Sequence, residues 1–190
     1  MDSTYIQEKP KKSLWAFGTR EVVFAAIGAA LYGVLSWATN ILQIPAAANV
    51  SIRPGVVIVF FFGLAFGPWV GLITGLVGNI IGDLLSAYGF WIWWDIGNGL
   101  MGLVPGLIFL TIKDFKSLSD IIKGEVMVIL GAFVGMFFAS LTELWVSGVD
   151  FSTTIAVNFL PAFISNIVNG LILLPILMVA YAAVVQRSGR

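Results

Sequence analysis

The 190-residue sequence contains no cysteine and no histidine. Disulfides, thiolate metal sites and thiol nucleophiles are thereby excluded, and with histidine go the commonest zinc ligand and the usual proton shuttle near neutral pH. No metal site and no cofactor is expected. Charge is scarce as well: 11% of residues are charged, against about 25% in soluble domains. Hydrophobic residues make up 59% of the chain and the mean hydropathy is +0.99, a balance that places most of the chain in lipid rather than water. The formal net charge of zero averages over charges that are segregated along the chain, so their positions matter more than their sum.

At about 20 apolar residues per spanning helix the chain has room for roughly six crossings, and the sequence reads as an all-α integral membrane protein of six helices. The apolar runs predict spans over 22–38, 54–66, 69–87, 95–112, 124–146 and a last one from 155 or 161 to 185. Pro54 suits the first turn of the second helix, and Gly67-Pro68 breaks that helix from the third. Residues 40–53, the aromatic segment 88–94 and residues 147–154 are then loops on one side, with the charged stretch 113–123 on the other. The alanines at 46–48 imitate a signal-peptidase site, but the run before them is longer than a signal's apolar core of roughly 7–15 residues. Of the ten basic residues, nine fall on one side of this threading (Lys9, Lys11, Lys12, Arg20, Lys113, Lys116, Lys123, Arg187 and Arg190) and Arg53 alone on the other. The positive-inside rule then puts both termini in the cytoplasm: a tail over 1–19, a membrane domain over 20–186 and a tail over 187–190.

Small residues recur at helical spacing. The first helix carries Ala25/Ala29 and Ala26/Ala30, with Gly33 continuing one row; the third carries Gly67, Gly71 and Gly75, then Gly78 and Gly82; Gly102/Gly106 and Gly131/Gly135 follow. Small residues four apart let helices approach closely in lipid. On the third helix the expected use is internal packing. On the first, packing and a surface for a partner protein read alike.

Polar residues inside the spans are costly and mark function or pair with each other. Asn79 and Asp83 share a face near the outer end of the third helix, Asp95 and Asn98 open the fourth, Glu143 closes the fifth, Asn166 and Asn169 lie in the outer part of the sixth, and Arg53 opens the second. With Trp94 they are the candidate ligand-binding residues of one outward-facing pocket. Each has a structural alternative: Asp95 as a helix cap, Arg53 in an ion pair with Asp83 or Glu143, the two asparagines of the sixth helix as interhelical glue, and Trp91, Trp93, Trp94 and Trp145 as an interfacial belt. Three carboxylates against one arginine disfavour a dianionic ligand. A neutral or cationic aromatic heterocycle suits tryptophan faces and amide or carboxylate partners.

The length, the six spans, the internal ends and the motif Ala25-Ala26-Ile27-Gly28-Ala29-Ala30 resemble the substrate-binding S components of energy-coupling-factor (ECF) vitamin transporters. The run Phe66-Gly67-Pro68-Trp69-Val70-Gly71, then Gly78-Asn79, Gly82-Asp83 and Trp91 to Trp94, is similar to a subgroup linked to riboflavin- or thiamine-type uptake. The resemblance implies a prokaryotic plasma-membrane subunit that captures a water-soluble vitamin or precursor. It also implies that Ala25, Ala26, Ala29 and Ala30 dock on a membrane-embedded coupling protein driven by two cytoplasmic ATPases, with no nucleic acid involved. The chain has no G-x-x-x-x-G-K-[ST] loop, so ATP hydrolysis would belong to those partners. The rival readings are a stand-alone channel or secondary transporter, kept open by Pro105 and Pro175, and a membrane enzyme using Asp83, Asp95 or Glu143 as acid and base.

Overall fold

A computed structural model describes residues 13–40 and 52–187. Most of the proposed tails, and 41–51 of the loop expected at 40–53, lie outside the described residues. The described chain is helical, with no strand. Its helices are α1 (Thr19–Thr39), α2 (Val56–Phe66), α3 (Pro68–Leu85), α4 (Ile92–Gly106), α5 (Leu118–Val146) and α6 (Phe151–Arg187), the last counted as one helix through a π-helical stretch at Thr154–Phe159.

All six expected helices are present, but not as equals. Five are long and apolar enough to cross a bilayer, α4 with the 3₁₀ turn Phe109–Thr111 at its end. The sixth, α2, has 11 residues, about 16 Å at 1.5 Å per residue, or half of a hydrocarbon core of about 30 Å. A helix that short would leave its terminal backbone groups unsatisfied in lipid. It is instead wrapped by protein: eight of its eleven residues are buried, against α3, α4, α1 and α6.

Glycine makes this wrapping possible. A side chain on Gly63 of α2 would meet the Gly102 carbonyl of α4 at 2.1 Å, and one on Gly71 of α3 would meet the same oxygen at 2.1 Å. One α3 turn further, Gly75 lies against the Asn98 carbonyl, 2.0 Å from where its Cβ would stand. The expected packing role of the glycine rows is therefore met. The break between α2 and α3 also needs glycine, because Gly67 has φ +111°, and Pro68 follows at the first helical position, where its missing N–H is not required.

Of the helix boundaries that differ from the sequence reading, three have an evident local cause or consequence. α5 starts at Leu118 rather than 124, because Asp120 in its first turn accepts the backbone N–H groups of Lys113 and Asp114 and pairs with Lys123 at 2.6 Å. α6 starts at Phe151, because the Asp150 carboxylate caps it by accepting the Thr153 N–H. α4 starts at Ile92, so Asp95 lies inside the first turn and does not cap it; its own N–H bonds to the Trp91 carbonyl.

α1 and α2 run antiparallel. Arg53, just before α2, meets Asn79 on α3, whereas Phe66 at its other end stacks on Phe24 at 4.0 Å. That second end of the bundle also gathers Trp15 against Trp69, and Lys116 bonded to Gln186. The short α2 thus fills only the basic end of the bundle. Beyond its start, the helices around it enclose open space.

Candidate functional site

That space is a cavity of about 260 Å³, near the low end of the roughly 300–1,000 Å³ typical of small-molecule sites. It lies where α3 and α5 end and α4 and α6 begin. Of the nine candidate residues, seven line it: Arg53, Asn79, Asp83, Trp94, Asn98, Glu143 and Asn166.

The wall made by α3 and α4 is organised by one amide. Asn79 and Asp83, four apart, share a face of α3, and the Asn79 Nδ2 donates to Asp83 Oδ2 at 2.9 Å and across to Asp95 Oδ1 on α4 at 2.8 Å. Its Oδ1 accepts from Arg53 Nη1 at 3.0 Å and lies 3.4 Å from the Tyr32 hydroxyl of α1. Tyr32 donates its stronger bond, 2.8 Å, to Asn98 Oδ1, and Asn98 Nδ2 donates to the Trp94 carbonyl one turn back. The amide therefore sits between a cation and two carboxylates and uses both its donor hydrogens and its acceptor. Burial of these groups is tolerable because each is hydrogen-bonded to the same amide, and partnering of this kind is the requirement for ionisable groups in an apolar interior.

The network continues to α5. Trp94 Nε1 donates to Glu143 Oε1 at 2.6 Å, and Ser147 Oγ donates to the other oxygen of Glu143. Both carboxylate oxygens of Glu143 are thus fixed from the cavity rim. Trp91 also lines the cavity, with its Nε1 donating to the Tyr88 carbonyl at 2.8 Å. By contrast Trp93 and Trp145 are exposed and pack edge-on with each other. The tryptophan cluster therefore divides into two that line the site and two on the outer face.

Two candidates fall outside the lining. Asp95 is fully buried behind Asn79, and its Oδ2 has no partner among the described residues; it holds the wall from behind. Asn169 turns away and donates to the Ser165 carbonyl of its own helix at 2.8 Å. Three residues separate it from Asn166, which swings it about 60° around an α-helix. Tyr88, Trp91, Met136, Ser147, Asn158 and Ala162 complete the lining, and Tyr32 supports it. Of these only Trp91 was singled out, and then as a belt residue. Asn158 was legible as an asparagine in an apolar run, but the expected start of the last helix hid its direction. The described residues contain no cluster of His, Cys, Asp and Glu able to hold a metal.

The four alanines of α1 part company. Ala25 and Ala29 are buried inside the chain, on the side where α1 packs on α3: the backbone of Ala29 lies against Gly78 and the adjacent Gly28 lies against Thr74 and Phe62. Assigning all four to a partner surface is corrected for this pair. Ala26 and Ala30 are exposed.

A model of the family described as ECF-type riboflavin transporter, S component, matches residues 16–183. Among curated relatives, a UPF0397 protein of Vibrio atlanticus (strain LGP32) is 36% identical over 98 residues, 52% of this chain and 53% of that protein. A UPF0397 protein of Aliivibrio fischeri (strain MJ11) is 35% identical over 95 residues, 50% and 51% of the two chains. The chain spans about half the length of the curated relatives it matches. The family match runs from before α1 nearly to the end of α6 and so takes in the whole cavity: this chain is a multi-pass membrane protein belonging to the family of ECF-type riboflavin transporter S components.

Proposed function

We propose that this chain is the substrate-capturing subunit of an ECF-type importer and that its cavity takes a flat, aromatic, water-soluble vitamin, riboflavin in the first place. The observation that carries this reading is the lining itself. Two indoles and a tyrosine stand beside amides and carboxylates drawn from four helices and from Arg53, an arrangement suited to stacking a heterocycle and bonding its edge. The lining holds two carboxylates against one guanidinium, so a phosphate ester or a dianion gains little there. The name of the matching family points to riboflavin as well. A thiamine-type pyrimidine is the second reading, favoured by the same carboxylates through attraction for a cationic ring.

In the same proposal the cavity opens outward and both termini face the cytoplasm, since Lys116, Lys123 and Arg187 share the end away from Arg53. A membrane coupling protein would dock on the exposed face of α1 that contains Ala26 and Ala30, where small side chains permit close approach. Two cytoplasmic ATPases would drive the cycle.

Purified chain in detergent, titrated with riboflavin, thiamine and 4-amino-5-hydroxymethyl-2-methylpyrimidine, tests the capture reading. Quenching of tryptophan fluorescence by riboflavin is expected; no response to any of the three removes the vitamin assignment. Cysteine labelling in this cysteine-free background tests the orientation. An impermeant reagent should reach Asp150→Cys and not Lys116→Cys in intact cells, and the reverse pattern would turn the cavity inward.

A further inference from the structure

The cavity wall contributed by α6 carries two lining amides that have no hydrogen-bond partner among the described residues. Asn158 and Asn166 both line the cavity, Ala162 lies between them, and neither carboxamide makes a hydrogen bond among the described residues. Eight α-helical steps of 100° would leave the two asparagines about 80° apart around the axis, too far to face one cavity squarely. The π-helical stretch Thr154–Phe159 changes the phase. The Leu160 N–H bonds to the Ile155 carbonyl, five residues back, so this turn takes up one residue more than an α-turn. Asn158 stands near the end of that wide turn, so part of the extra residue falls between it and Asn166 and the angular offset drops below the roughly 80° of a regular helix.

Pro161 explains why the widening occurs there. A proline inside a helix has no N–H for the carbonyl four residues back, and its ring crowds that carbonyl, here Val157. Widening the turn ahead of Pro161 relieves the crowding and turns Asn158 toward the cavity face that holds Ala162 and Asn166. At 1.5 Å per residue the two amides stand about 12 Å apart along the helix, farther than one six-membered ring can reach.

We infer that Asn158 and Asn166 form a two-point comb that reads the long edge of an extended flat ligand, with Ala162 leaving room for the ring system between them and Pro161 setting the phase. This rests on the capture reading above and narrows it: the ligand is a fused-ring heterocycle, or a ring with a polyhydroxylated tail, rather than a single pyrimidine. A donor-and-acceptor amide at each end suits imide or hydroxyl groups separated by an apolar middle.

Riboflavin and 4-amino-5-hydroxymethyl-2-methylpyrimidine, titrated into the full chain and into Asn158→Ala, Asn166→Ala and Pro161→Ala, provide the test. Riboflavin affinity should fall about 5- to 150-fold in each asparagine variant, the range for one lost buried hydrogen bond. Pro161→Ala should weaken riboflavin binding too, with both asparagines still present, because the helix can relax to α-register and turn Asn158 aside. Wild-type protein that binds riboflavin, with both asparagine variants within twofold of it, overturns the comb while leaving capture intact. Full riboflavin affinity in Pro161→Ala overturns the phase argument. Wild-type protein that binds only the pyrimidine overturns the extended-ligand assignment, and a protein that binds neither fails the capture reading itself.

Discussion

Two walls of the cavity solve the burial of polar atoms in opposite ways. On α3 and α4, Asn79, Asp83, Asp95 and Asn98 bond to one another and to Tyr32 and Arg53, and the backbones beneath them touch through Gly71, Gly75 and Gly102. On α6, Asn158 and Asn166 bond to nothing among the described residues, and around the same helix lie aromatic rings, Phe159 stacked on Phe163 at 5.2 Å and edge-on to Phe133 at 5.8 Å. The first wall is set before any ligand arrives. Its bonds are already made, and only its outward-facing lone pairs and hydrogens remain to be used. The second wall presents its amides to the cavity, where a ligand that displaces water can take up their hydrogen bonds. A site built this way has one rigid template and one reader, and the two should respond differently to substitution.

The largest expected effect lies in the template. Gly75→Val would place a Cβ 2.0 Å from the Asn98 carbonyl, and neither backbone can retreat without opening the α3–α4 seam. Overpacking of this kind costs about 1–3 kcal/mol, and more where backbone is the obstacle. Loss of monodisperse protein on size-exclusion chromatography is the expected result. A well-folded Gly75→Val variant would mean that the seam is looser than its geometry states.

Next in size is Asn79→Ala, which removes the partner shared by Arg53, Asp83 and Asp95. Asp83 and Asp95 are buried and lose the amide they share, at about 1–3 kcal/mol for each group left unpaired, so thermal stability and ligand affinity should fall together. Asn166→Ala on the opposite wall should lower affinity with little change in melting temperature. If the two variants behave alike, the distinction between template and reader is lost.

A smaller effect on the isolated chain separates the two alanine rows of α1. Ala29 is 3% exposed, so Ala29→Trp should destabilise the subunit itself. Ala30 is exposed, and Ala30→Trp should leave ligand affinity and stability unchanged within about 0.5 kcal/mol. Recovery of a complex with the coupling protein should nevertheless fall. Equal recovery of the complex with Ala30→Trp and with unsubstituted chain would move the docking surface elsewhere.

Much of this was legible in the sequence because lipid makes polarity expensive. An Asn or Asp in an apolar run announces itself, and four of six such choices line the cavity. The exceptions show what one dimension hides. Asn169 lies within three residues of a true lining residue, yet helical rotation points it at its own backbone. Asn158 depends on a π-helical turn that shifts the phase of everything before Pro161. Tyr32 looks like an ordinary aromatic in an apolar helix, and only the packing of α1 on α3 brings its hydroxyl to Asn98 and Asn79. Ala25 and Ala26 are adjacent and chemically identical; which faces the chain and which faces outward is decided by where α3 lies.

The smallest expected effect is at the start of the reader helix. The Asp150 carboxylate accepts from the Ser152 and Thr153 hydroxyls and from the Thr153 N–H, and these bonds hold its pKa below the ordinary value of 3.8. A carboxylate lowered on folding contributes stability that is complete above the unfolded pKa of about 3.9 and is lost as pH falls through the lower folded value. The group is fully exposed, so solvent screens the contribution and keeps it modest. Asp150→Ala should lower the melting temperature slightly at neutral pH, and the difference from the unsubstituted chain should shrink as the solution is acidified below about pH 4. Asp150→Asn keeps a capping oxygen without the charge, so it should recover most of the loss and show no such pH dependence. Riboflavin affinity should follow only if fraying of the first turn reaches the π-helical stretch and Asn158; unchanged affinity in Asp150→Ala would show that Pro161 alone is enough to hold the comb in phase.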